Sequence, residues 1–368
     1  MGEMDRIAEL VDEMFAAGIG SAAAVSIGDR GTEVARLVRG RVRQDGPPIT
    51  GDARFDIASL TKPMATAAIA MVLAGDGVLD LAAPIRSVFA DAASTGTLAQ
   101  LLGHGAGCAA HVEFFRDLKG PTLPDRAAPP KGGAQFQWKT VDDPRAELVA
   151  RARRYPASAP GVDAVYSDLG YIVLGAALER IADQSLEELF GGLVAGPLGL
   201  AATFGPVADA VATERDDRGL VCGRVHDENA YYGGGVCGHA GLFASIGDVA
   251  RFAAAMVDTL AGTPRGRLRP EIATHFVTTA AAPHASWRLG WDTPSHTPGI
   301  SHAGDRWPRE HAIGHLGFTG TSLWLDLPRR RWVALLTNRV HPSRAGSADA
   351  IKTLRRGVND AALDLLDG

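Results

Sequence analysis

The segments that read as strands lie at the two ends of the 368-residue chain, and a long stretch of helical and loop-like sequence separates them. Near the N-terminus, AAAVSIGD at 22–29 and EVARLVRGRV at 33–42 are joined by a short glycine-containing turn, the pattern of a hairpin. Near the C-terminus, HLGFTGTSLWLDLP at 315–328 and RWVALLTNR at 331–339 read as a second hairpin, turning near Pro328. Backbone donors and acceptors inside a fold must be paired. Two hairpins so far apart in sequence therefore point to one sheet completed from both chain ends. The expected fold is α/β (α+β): a mixed, mostly antiparallel sheet flanked by helices, with a helical subdomain inserted. The sheet part takes residues 1–77 and 236–368; the insertion takes 78–235.

Helices are expected on either side of that sheet. Ile7, Leu10, Val11, Met14 and Phe15 fall at helical spacing, 247–262 is amphipathic, and a last helix covers about 347–366. The stretch PTLPDRAAPPKGGAQ at 121–135 reads as a surface excursion. A hydrophobic content of 46% is ample for a large core. The formal net charge of −5 leaves no broad basic field for nucleic acid or anionic lipid. Glu3, Asp5, Glu9, Asp12 and Glu13 replace the positive start of a secretory signal, and no apolar run long enough for a membrane span stands out. A cytoplasmic protein is expected. Cys108, Cys222 and Cys237 form no CxxC pair and read as buried free thiols.

Chemistry concentrates in three short motifs. In Ser59-Leu60-Thr61-Lys62 the serine and lysine are three residues apart, so on a helix the amine reaches the hydroxyl. A serine needs such a base to become a nucleophile. For Lys62 to serve, its pKa must fall, and burial and a helix N-terminus both push that way. Pro63 suits a first helical turn, yet it disfavours helical geometry at Lys62. Taken singly, the pair also fits a capping serine and a surface lysine. Tyr166-Ser167-Asp168 precedes an apolar helix at 169–182. A phenol near Ser59 and Lys62 can act as base and acid, and Asp168 can hold the ammonium or cap the helix. His315-Leu316-Gly317-Phe318 heads an expected edge strand. There Gly317 lets a substrate approach, and the Phe318 and Ser59 N–H groups form an oxyanion hole.

Together, in this order and at these separations, the motifs resemble the serine β-lactamase/penicillin-binding-protein superfamily, in its class C-like branch. FDIASLTKPM, LAQLLGHGAG (98–107), VYSDLGYIVLG (165–175), VHDENAYYGGGVCGHAGLFASIGDVARFA (225–253) and GHLGFTGTSLWLDLP carry the likeness. The resemblance implies a β-lactamase/transpeptidase-like fold and a covalent acyl-Ser59 intermediate formed with Lys62 and Tyr166. Asp168 would sit beside the lysine and His315 in the third-motif position. No metal or cofactor is implied, and the expected partner is a small-molecule ester, amide or β-lactam-like substrate. Class C β-lactamases usually have Tyr-x-Asn and Lys-Thr-Gly, so Asp168 and His315-Leu316-Gly317 lean toward the esterase and peptidase members. A histidine there would be only partly charged at neutral pH. The rival readings are a D-alanyl-D-alanine carboxypeptidase or β-lactamase, an acyltransferase, and a non-catalytic binding module. A basic residue facing a substrate carboxylate would favour the first.

The remaining polar and aromatic residues read as structural. His226, Asp227, Glu228, Asn229 and His239 suit loop-ordering hydrogen bonds better than a metal site, because HDEN lacks HxxxH spacing. His104 would hold a turn, and Arg329, Arg330 and Arg331 would be solvated. Trp138, Trp287, Trp291 and Trp307 are open between walling the acyl pocket and packing in the core.

Overall fold

A computed structural model describes residues 2–118, 143–297 and 299–368. The excursion expected at 121–135 and Trp138 lie outside the described residues. Five strands form the central sheet: β1 (Ala22–Asp29), β2 (Thr32–Gly40), β3 (Ala312–Leu316), β4 (Ser322–Asp326) and β5 (Arg331–Thr337). Their order is β2-β1-β5-β4-β3, and every neighbouring pair runs antiparallel. β1 pairs with β5 in the middle, Val25 opposite Leu335, so both chain ends complete one sheet. The segment 315–328, read as a single strand, instead contains a turn at 317–321 between β3 and β4. That turn is closed by Gly317 N–H donating to Thr321 O (2.8 Å) and Gly320 N–H donating to Gly317 O (3.0 Å).

β1 is buried on both faces, which explains why AAAVSI is continuously apolar rather than alternating. On one face Ala23, Val25 and Ile27 pack with Ile7, Val11 and Met14 of helix α1 (Glu3–Ala16). Leu354 and Val358 of the final helix, Ala348–Asp367, belong to the same cluster. On the other face Ala22 and Ala24 join a larger core with Val249, Phe252 and Met256 of the helix Ile246–Leu260. The outermost strand β2 alternates between half-buried and exposed residues, as an edge strand should. Trp332 of β5 fits over β1 only because Gly28 stands opposite it; a Cβ there would lie 2.3 Å from three indole ring atoms. The indole N–H is satisfied by Ser26 Oγ at 3.1 Å.

The run Ala58–Gly75 threads the larger core. It opens as a tight turn at Ala58–Leu60, widens to a π-type turn over Lys62–Ala67 and becomes regular helix α2 at Ala68–Gly75. The widening begins where Pro63 supplies no N–H and disfavours α geometry at Lys62. Contrary to expectation, this 18-residue segment is long and apolar enough, at a mean hydropathy of 1.3, to cross a membrane; here 83% of it is buried inside the fold. Two further expectations are corrected. Cys222 is exposed and Cys108 half-buried, and of the three thiols Cys237 is buried as expected. The arginine run is not merely solvated: Arg329 pairs with Asp326, Arg330 with Asp258, and Arg331 with Asp29 and Asp367.

Gly28→Ala should cost about 1–3 kcal/mol by overpacking the strand pair against Trp332. Urea denaturation should show a lower midpoint with an unchanged slope; an unchanged midpoint would mean that Trp332 has another place to go.

Candidate active site

The approach to Ser59 is a bent piece of chain held from several sides. A small sheet of Phe55–Asp56, Leu242–Ala244 and Thr203–Phe204 delivers the backbone to the tight turn. Ala58 then takes a left-handed conformation (φ 48°), costly for a residue with a Cβ. Its N–H donates to Asp56 Oδ1 at 2.8 Å, and Thr61 Oγ1 donates to its carbonyl at 2.6 Å. The buried Asp56 carboxylate also accepts the His226 N–H at 2.6 Å, so one side chain ties the strained residue to the loop at 226.

Lys62 lies directly behind Ser59 and is fully buried. Its Nζ donates to Ser59 Oγ (2.9 Å), Asp168 Oδ1 (2.8 Å) and His239 O (3.1 Å), one acceptor for each ammonium proton. Asp168 opens helix α3 (Asp168–Ala182), whose N-cap is Ser167, accepting from Gly170 N–H at 2.9 Å. The cap is thus Ser167, and the Asp168 carboxylate is left for the lysine. Tyr166, one residue before the cap, sets its ring 4.8 Å from Lys62 Nζ. Burial acts to lower the Lys62 pKa, as expected, but the Asp168 carboxylate and Tyr166 outweigh it and hold the ammonium above its ordinary range. Lys62 is therefore charged at rest. Burial likewise pushes the Tyr166 phenol up, against the opposing charge of Lys62.

The third motif arrives from the sheet edge. His315 and Leu316 end β3, and Gly317 and Phe318 lie in the turn beyond it rather than on the strand. Thr319 Oγ1 donates to Asp56 O (2.8 Å) and Thr321 Oγ1 to Ile57 O (2.9 Å), clasping this turn to the segment before Ser59. The approach is close enough that a Cβ on Gly317 would fall 2.5 Å from Ile57 O. His315 is not partly charged: burial, then the Lys62 charge, pushes it down to about 3. Its Nδ1–H donates to Leu316 O at 2.8 Å, which fixes the neutral tautomer.

Ser59, Tyr166, Asp168, His315, Gly317 and Phe318 share one cleft of about 580 Å³, lined also by His111, Trp287, Asp227, Arg339, Arg344 and Arg355, with Lys62 buried behind its wall. The HDEN segment is ordered by hydrogen bonds, as expected. His226 Nε2 pairs with Glu214 (2.9 Å), His239 Nε2 with Asp227 (2.8 Å), Glu228 with Arg344 (2.5 Å), and Asn229 donates to Val112 O (2.8 Å). Of the described tryptophans in question, Trp287 lines the cleft, while Trp291 and Trp307 are core residues. Two histidines matter more than the sequence suggested. His104 Nδ1 accepts the Ser167 N–H at 3.0 Å, and its ring packs on Tyr166 (4.8 Å) and Trp287 (4.6 Å), so it supports the tyrosine as well as its own turn. His111 Nδ1 stands 3.2 Å from Asp168 Oδ2, and that hydrogen bond raises its pKa. Nothing in the spacing around His111 marked it; only the fold brings it to Asp168.

Lys62 and Asp168 are buried partners, so removing one leaves the other uncompensated. Asp168→Ala should lower stability by about 3–5 kcal/mol at pH 7. The Asp168 carboxyl is held far below its usual range, chiefly by the Lys62 charge working against burial. Its contribution is therefore complete above the unfolded-state pKa of about 4 and is lost as pH falls toward the folded value. Denaturant titrations of both proteins should show the gap closing at low pH; a gap that is flat with pH would assign the loss to packing.

A family model described as Beta-lactamase matches residues 7–356. A putative D-alanyl-D-alanine carboxypeptidase of Escherichia coli O157:H7 is 29% identical over 319 residues, covering 78% of this chain and 69% of the relative. Among solved structures, the octameric penicillin-binding protein homologue from Pyrococcus abyssi superposes with a TM-score of 0.71 at 21% identity, covering 99% of this chain and 77% of that one. Simvastatin synthase from Aspergillus terreus superposes with a TM-score of 0.72 at 16% identity over the full length of both. The fold is that of β-lactamases and penicillin-binding proteins, and the chain belongs to the beta-lactamase family of hydrolases.

Proposed function

We propose that the protein hydrolyses an ester or amide through a covalent acyl-Ser59 intermediate. The observation that carries this reading is the bonding of Lys62 Nζ to Ser59 Oγ (2.9 Å) and Asp168 Oδ1 (2.8 Å) on the cleft wall, with Tyr166 beside it. Lys62, held as the ammonium, donates to Ser59 Oγ, so the proton is assigned to Tyr166 in its phenolate form, a minor form because burial raises the phenol. The ammonium favours the phenolate, as its opposing effect on the raised Tyr166 pKa indicates. The base is thus the Tyr166–Lys62 pair, with the tyrosine oxygen as the atom that moves the proton. Ser59 Oγ attacks the substrate carbonyl carbon as its proton passes to Tyr166. The carbonyl oxygen, now negative, is received by the N–H groups of Ser59 and Phe318. When the tetrahedral centre collapses, the bond to the leaving group breaks and Tyr166 returns the proton to it. Water then repeats the sequence on the acyl ester and frees Ser59. His315, neutral and packed beside Tyr166, shapes the site without adding charge.

A second reading within the same chemistry is favoured by Arg339. It is buried on the cleft beside Phe318, donating to Phe318 O (2.8 Å) and Ser347 Oγ (2.6 Å). Among the described residues no carboxylate lies within ion-pair range of it. A substrate with a free carboxylate would supply that partner, as a D-amino-acid peptide does. Peptides ending in D-Ala-D-Ala should then be cleaved faster than their C-terminal amides; equal rates would remove Arg339 from recognition and leave the ester reading.

The test of the main reading is intact-protein mass spectrometry with p-nitrophenyl butyrate, a chromogenic cephalosporin and a fluorophosphonate. Nitrophenol release with an adduct on Ser59 is the expected result. Ser59→Ala should keep the fold and lose activity to below about a thousandth of wild type; more than that would displace Ser59 as nucleophile. The reactive tyrosine is deprotonated and its pKa is raised, so kcat/KM should climb about tenfold per pH unit from near pH 6 to at least pH 9. A plateau well below pH 9 would give the base role to another group on the cleft, with His111, hydrogen-bonded to Asp168, a candidate.

A further inference from the structure

Arg355 is a buried cation in the final helix, Ala348–Asp367, and it takes no part in the chemistry described so far. Its Nη2 donates to Gly317 O and to Thr321 O, both at 2.7 Å. Among the described residues no carboxylate lies within ion-pair range of it, and its Nε has no hydrogen-bond partner. Burial, with the nearby Arg339 charge, pushes it down to about 9, so it remains charged at neutral pH.

The turn at 317–321 does not need this cation for its shape. Two backbone hydrogen bonds already close it, and the Thr319 and Thr321 hydroxyls already fasten it to Asp56 and Ile57. What Arg355 adds is charge at two carbonyls, Gly317 O and Thr321 O, the first of which bears on the site. Gly317 C=O and Phe318 N–H belong to the same peptide group. A donor on the oxygen draws electron density from the nitrogen, so the N–H becomes a stronger donor. The effect is largest when the donor is charged and buried. The partner amide has a weaker version of the same arrangement: Ala58 C=O, in one peptide group with Ser59 N–H, accepts from Thr61 Oγ1 at 2.6 Å.

We propose that Arg355 is a positioning residue of the oxyanion hole, polarising the Gly317–Phe318 peptide so that its N–H binds the developing negative oxygen more strongly. The inference rests on the acyl-Ser59 reading. It predicts an effect that appears as the substrate carbonyl gains charge and not when substrate first binds.

Arg355→Met should therefore lower kcat on p-nitrophenyl butyrate by about 10- to 100-fold with KM changed little, below the loss from deleting an oxyanion donor outright. Difference infrared spectroscopy of the acyl-enzyme, prepared with a carbonyl-labelled slow substrate, should show the acyl C=O band at higher frequency than in wild type. A more weakly hydrogen-bonded carbonyl keeps more double-bond character. Arg355→Lys keeps the charge and a donor, so it should place both readouts between wild type and Met; it also serves if the Met variant does not fold. A Ser59 adduct whose carbonyl band is the same in wild type, Lys and Met proteins would overturn the inference and leave Arg355 a purely structural clamp. Absence of any Ser59 adduct in wild type would overturn the acyl-enzyme reading and this inference with it.

Discussion

The Lys62–Asp168 pair is the interaction on which the site depends. A buried ammonium is costly unless each proton has an acceptor and a carboxylate stands close, and here both conditions are met. The three acceptors come from three separate parts of the chain: Ser59 before the π-type turn, Asp168 at the start of α3, and His239 just before the strand Leu242–Ala244. Satisfying one cation therefore fixes the relative positions of all three. The π-type turn is part of the same solution, because it opens where Pro63 removes an N–H just beyond the lysine.

A second set of restraints positions the backbone that would receive the carbonyl oxygen. Ala58 pays for its left-handed conformation through hydrogen bonds to Asp56 and Thr61, and Asp56 is in turn fixed to His226. The 317–321 turn is fastened to Asp56 O and Ile57 O by two threonine hydroxyls. The strained segment and the sheet edge are thus parts of one hydrogen-bonded unit, and a sheet built from both ends of the chain is what brings them together. Pre-set donors of this kind need no reorganisation when charge develops.

Much of this was legible in the sequence, and the reasons differ by element. β1 and β5 were readable because apolar runs bounded by glycine and proline allow little else, and the long amphipathic helices because their spacing repeats. The turn inside 315–328 was hidden, since Thr319 and Thr321 look like strand residues until their hydroxyls find Asp56 and Ile57. Ser59, Lys62, Tyr166 and Asp168 were found as a set by order and separation, and the structure brings them together. Their protonation was not legible. Burial and a helix N-terminus push the Lys62 pKa down and Asp168 can hold the ammonium, and the sequence could not weigh these against each other across 106 residues. His315 went the other way: its tautomer depends on the neighbouring Leu316 carbonyl and its low pKa on burial.

The same reasoning explains why Arg339 and Arg355 escaped notice. An arginine in a C-terminal stretch of mixed charge reads as a solvated residue, because most are. These two are buried against the backbone of one turn, at Phe318 O and at Gly317 O and Thr321 O. With His315 neutral, the positive charge at this end of the cleft comes from guanidinium groups behind the turn and not from the third motif. Charge held by backbone carbonyls is fixed in place, and Arg355, pushed down to about 9, is still protonated at neutral pH, where a buried histidine at the third motif is not. This end of the cleft is therefore cationic although His315 is neutral, its charge held by Arg339 and Arg355 of the C-terminal segment.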